Sequence, residues 1–109
     1  MKNFRTLDQA KKDMQVYLDY IHLIENYEPT NFTQHVIKAY ALDGNITRTA
    51  EVLNQQGFQV QDRPLESQDI REAIISKPNQ EDALHKEVRK LYLKRINSKK
   101  LSAKPYSYR

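Results

Sequence analysis

Apolar residues recur at three- and four-residue spacings along most of this chain, and little interrupts them. Two glycines, Gly44 and Gly57, and four prolines are the strongest breakers in 109 residues. A β-sandwich or barrel needs far more turn residues than that, whereas a helix needs only a start signal and a stop signal. The length suits one domain. The expectation is therefore an all-α, compact helical domain of about five helices over residues 1–98. Mean hydropathy is low, at -0.85. The regular return of Leu, Ile, Val and seven Tyr nevertheless separates the chain from a disordered composition.

Residues 6–27 read as a long first helix, with Thr6 as its cap and Pro29 beyond its end. It carries two apolar stripes. Leu7, Ala10, Met14, Tyr17, Leu18, Ile21 and Ile24 form one, and Val16, Tyr20, Leu23 and Tyr27 form a nearly opposite one. A helix apolar on two sides is either central in its domain or covered by another chain. The first stripe is assigned to the core, through Leu18 and Ile21. The second is assigned to a homodimer interface.

Residues 31–43 form a second helix that Gly44 ends, and residues 46–56 form a third that Thr47 caps and Gly57 ends. Phe58, Gln59, Val60 and Gln61 alternate apolar and polar ahead of Pro64. They predict a short extended or β-ribbon stretch near 58–65. Ser67 caps a fourth helix through Ile75, and a fifth runs from Asn79 to about Ser98. Ile37, Ala50, Leu53, Ile70 and Ile74 complete the predicted core. Residues 99–109, KKLSAKPYSYR, read as a basic flexible tail.

Charge is divided unevenly. Residues 86–109 hold nine Lys or Arg and one acid, Glu87, a net of +8, while residues 1–85 carry a net of −4. A basic end on an acidic body suits a polyanion, because Lys and Arg displace the counterions condensed on nucleic acid.

The most informative stretch is Asp43 to Ile75. Two short helices meet at Gly44-Asn45, and a loop with Arg63-Pro64 leads into a helix containing Ile70 and Ile74. This is the plan of a helix-turn-helix unit with a lengthened turn, over about residues 32–75. The run Ala50-Glu51-x-Leu53-Asn54-x-x-Gly57-Phe58, then Arg63 and Ser67-x-x-Ile70-Arg71-x-x-Ile74, resembles the DNA-binding recombinase region of large serine recombinases. The resemblance covers residues 44–75. It implies that Ser67, Gln68 and Arg71 face DNA while Ile70 and Ile74 face the core. The 43 residues before it cannot hold the recombinase catalytic domain, so no strand cleavage is implied. Glu66, Asp69 and Glu72 on the same helix are acids that DNA phosphates would repel.

Candidate DNA contacts are Arg48, Arg63, Ser67, Gln68, Arg71, Lys94, Lys99, Lys100 and Lys104. No catalytic constellation is apparent. His22, His35 and His85 fall in separate helices, and there is no HExxH, phosphate loop or cysteine. No enzyme activity, metal or cofactor is expected. No apolar run reaches the roughly 18–20 residues of a membrane span. The N-terminus lacks the apolar core of a signal peptide, so a cytoplasmic setting is expected. The leading expectation is a small sequence-specific DNA-binding protein with double-stranded DNA as its partner. It would serve as a transcription regulator or as an accessory factor of a phage or mobile element. The alternative is a small phage-type protein-interaction module, an inhibitor or adaptor, with a protein partner and no nucleic-acid role.

Overall fold

The computed structural model describes residues 4–103, with side chains as far as Ser98. Five helices follow one another: α1 (Leu7–Glu25), α2 (Phe32–Asp43), α3 (Ile46–Gln55), α4 (Ser67–Ile75) and α5 (Ala83–Ala103). No strand occurs among the described residues, and no helix there is long and apolar enough to cross a membrane.

Each helix begins where a side chain satisfies a backbone N–H that the first turn leaves unpaired. Thr6 and Gln9 make a reciprocal capping box at α1, with distances of 3.2 and 3.0 Å. Asn31 accepts from the Gln34 N–H at 2.9 Å, and Asn45 accepts from the Arg48 N–H at 3.0 Å. Asn45, not Thr47, therefore caps α3. Glu66 rather than Ser67 holds the cap position of α4, where Asp69 reaches back to the Glu66 N–H at 2.8 Å. Asp82 accepts from the His85 N–H at 2.9 Å, so α5 starts at Ala83 instead of Asn79. It then continues through Ala103. The first five residues of the predicted tail are thus helical, and residues 104–109 lie outside the described residues.

Helices α2 to α5 build the core. Val36, Ile37 and Tyr40 of α2 meet Ala50 and Leu53 of α3, Ile70, Ala73 and Ile74 of α4, and Leu84, Val88 and Tyr92 of α5. The Tyr40 and Tyr92 rings pack edge to face at 5.8 Å. Gly44 ends α2 at φ 78°, a left-handed conformation that glycine adopts without a Cβ clash. Only Gly44 and Asn45 separate α2 from α3.

The α3–α4 connection is held by a side chain acting as a backbone. The Asn54 amide nitrogen donates to the Leu65 carbonyl at 3.0 Å, and its oxygen accepts from the Leu65 N–H at 2.6 Å. The predicted ribbon is a single antiparallel bridge between Val60 and Arg63. Gln61 and Asp62 turn the chain there with φ of 51° and 61°. Neither is the glycine or asparagine such a turn favours.

Helix α1 differs from the expectation. Its last turns, with Tyr27 just beyond its end, lie on the core through Tyr20, Leu23, Ile24 and Tyr27. Three of these belong to the stripe assigned to a dimer interface. The fourth residue of that stripe, Val16, is exposed, because the helix runs off the body before it. Leu18 and Ile21, assigned to the core, are 38% and 45% exposed. The two stripes have largely exchanged roles, with Ile24 of the first stripe also on the core and Val16 of the second exposed. Both are apolar enough to be buried, and the position of α2 and α5 beneath Tyr20 and Tyr27 decides between them.

Candidate nucleic-acid interface

The predicted contact residues divide into those whose polar atoms are occupied within the chain and those that remain open. Arg63 is occupied. Its guanidinium makes two parallel bonds to the Asp69 carboxylate, at 2.8 and 2.9 Å, and a third to the Pro64 carbonyl at 3.0 Å. Asp69 has a nearly buried side chain, and the Arg63 bonds with the Glu66 N–H hold its carboxyl below the usual carboxylate range. Arg63 therefore fastens the α3–α4 loop to the start of α4. Arg48 pairs with Asp43 at 3.2 Å. Ser67 shares a 3.1 Å hydroxyl contact with Thr47, and Gln68 donates to Glu72 at 3.2 Å.

Arg71 is different. Its Nε donates to the Tyr92 hydroxyl at 3.2 Å, a neutral partner. Arg95, one helix away on α5, donates to the Tyr40 hydroxyl at 3.2 Å and to the Gly44 carbonyl at 2.7 Å. Both guanidinium groups line one open groove of about 620 Å³ between the α2–α3 turn, α4 and α5. None of its described lining residues is acidic. Neutral oxygens fix the orientation of the two groups while leaving their charge uncompensated. That arrangement can accept a phosphate oxygen without first breaking an ion pair. Arg89 follows the same rule, donating to the Ile75 carbonyl at 3.0 Å.

The structure thus brings Arg71 together with Arg95, a residue that is not among the predicted contacts. The signal was present in the spacing. Arg95 follows Tyr92 by three residues, so both lie on one face of the helix. Lys94 is exposed on α5. The side chains of Lys99 and Lys100, and all of Lys104, lie outside the described residues.

A second polar cluster has a structural role. Buried Asp82 accepts from the Tyr27 hydroxyl at 2.7 Å and from the Gln34 amide at 3.3 Å, besides capping α5. Burial, then the bond to Asp82, pushes the Tyr27 phenol well above its ordinary range. The three histidines are dispersed. His35 packs on Phe58, His85 is buried against the Ile74 carbonyl, and His22 is exposed on α1.

No family model, no curated protein and no solved structure matches this chain.

Proposed function

We propose that this chain is a small sequence-specific DNA-binding protein, a transcription regulator or an accessory factor of a phage or mobile element. Helices α2 and α3 act as the support of a helix-turn-helix unit, and α4 is its reading helix after a lengthened turn. The observation that carries this reading is the acid-free groove that Arg71 and Arg95 share. In this reading Arg95 takes the phosphate, and Arg71, bonded to Tyr92 only through its Nε, reaches from α4 toward base edges. The basic side of α5 extends the phosphate-binding surface, consistent with the +8 net charge of residues 86–109. Arg63 and Asp69 serve this surface indirectly, by fixing the α4 start.

The test compares Arg71→Ala with Lys94→Ala on two duplexes, one selected from a random pool and one unselected. Arg71→Ala should cost about 1–3 kcal/mol on the selected duplex and little on the other. Lys94→Ala should weaken both equally. Roughly six neutralised phosphates would give a log–log salt slope near −5. Equal losses from Arg71→Ala on both duplexes would remove α4 as a reader of sequence. No binding at low salt would remove nucleic acid as the partner. The exposed apolar side of α1 favours the alternative of a protein-interaction module, which partner capture surviving nuclease treatment would support.

A further inference from the structure

The outward face of α1 carries a seam of its own, independent of any nucleic-acid role. Leu7, Ala10, Met14, Tyr17, Ile21 and Ile24 fall at alternating three- and four-residue steps, the a and d positions of three heptads. Leu7, Met14, Tyr17 and Ile21 are 69%, 57%, 67% and 45% exposed. Ala10, Met14, Tyr17, Leu18 and Ile21 line one shallow groove that is apolar apart from the Arg5–Asp13 ion pair, 3.4 Å long, at its edge. Only the end of α1 from Tyr20 onward packs on the core, so no side chain from Leu7 to Asp19 joins it. A helix segment that short is marginal in water unless its apolar face is packed.

We infer that this face docks against the same face of a second copy of the chain, with the two α1 helices antiparallel. Two features choose this occupant. The first is register. A two-fold axis between Gln15 and Val16 sets Met14 of one copy opposite Tyr17 of the other, Ala10 opposite Ile21, and Leu7 opposite Ile24. The four seam residues from Ala10 to Ile21 each find an exposed or half-exposed seam partner, and the smallest faces a large one. The second is charge. Residues 4–12 of this segment carry a net of +2, from Arg5, Lys11, Lys12 and Asp8. Residues 13–28 carry −4, from Asp13, Asp19, Glu25 and Glu28 with no Lys or Arg. Antiparallel pairing lays the basic half of each helix along the acidic half of the other, whereas parallel pairing lays like on like. Ile24 also packs against the α2–α5 body, so the Met14–Tyr17 and Ala10–Ile21 layers carry the proposed contact.

Sedimentation velocity from sub-micromolar to high-micromolar concentration should show a monomer–dimer equilibrium. Tyr17→Asp places a charge in both central layers and should raise the dissociation constant by about tenfold or more. Val16→Ser, off the seam, should leave it unchanged. The chain has no native cysteine, so orientation is read from two single variants, Ala10→Cys and Ile21→Cys. Under oxidation they should form an interchain disulfide readily when mixed and poorly alone. This readout leaves Tyr17 intact and stands even if Tyr17→Asp misfolds. A monomer at every concentration would overturn the proposal. Disulfides formed by each variant with itself would overturn the antiparallel arrangement.

Discussion

Helix α5 buries Leu84, Val88 and Tyr92, whereas α1, of nearly equal length, buries no residue at all. The two helices are not distinguished by how apolar they are. Helix α1 has two apolar stripes, and α5 has a narrower one followed by basic residues. They are distinguished by what lies beneath them. The start of α5 enters a space walled by α2 and α4, while α1 meets the body only from Tyr20 onward. Apolar content shows that a helix can be buried. The position of neighbouring helices determines which part of it is.

The comparison can be pressed by substitution, beginning where the effect is largest. Leu84 is fully buried at the start of α5, so Leu84→Ala should cost about 2–5 kcal/mol in a denaturant titration. A loss near zero would mean that α5 is no more anchored than α1. The next test addresses the anchor of α1. Tyr27→Phe deletes the 2.7 Å bond to buried Asp82 and should cost about 1–3 kcal/mol. Hydrogen exchange should show α1 amides losing protection before those of α2 and α3. Uniform loss across the chain would show that α1 and the body open as one unit.

A third test asks whether the body has an acid sensitivity that α1 lacks. Asp69 titrates below the usual carboxylate range in the folded chain, so its stabilisation is complete above that range. It is lost as pH falls through the depressed folded value. The melting temperature should therefore drop more in acid for the native chain than for Asp69→Asn, which is already weaker at neutral pH. Identical pH profiles would remove the Arg63–Asp69 pair as the source. The smallest effect belongs to Val16, 64% exposed where α1 leaves the body. Val16→Ser should change stability by no more than about 0.5 kcal/mol, and a larger loss would place that residue in a packed environment.

Much of the body was legible from residue types alone. Ile37, Ala50, Leu53, Ile70 and Ile74 are core residues as their helical spacing predicts. Gly44 and Thr6 mark helix ends because few other residues satisfy those backbone positions. What stayed hidden required knowledge of distant neighbours. Asp82 has the look of a solvent-exposed acid in a first helical turn, and only the arrival of Tyr27 and Gln34 makes it a buried acceptor. Arg63 reads as a free cation until Asp69, six residues on, is folded against it. Arg95 reads as a side chain lying over apolar surface until Tyr40 and Gly44 are brought beneath it. The faces of α1 were reversed for the same reason, since two stripes of similar apolarity carry no mark of which one the body will meet.

The Asn54 side chain, which pairs with both backbone groups of Leu65, makes the α3–α4 connection depend on the order of two atoms. Asn54→Asp replaces the donating nitrogen with a carboxylate oxygen and leaves the rest of the residue almost the same size. The oxygen would then confront the Leu65 carbonyl, so an attraction becomes a repulsion between two acceptors. The segment tethered there delivers Arg63 to Asp69 and sets the first turn of α4. A change at a single nitrogen atom would thus be felt at the far end of the loop.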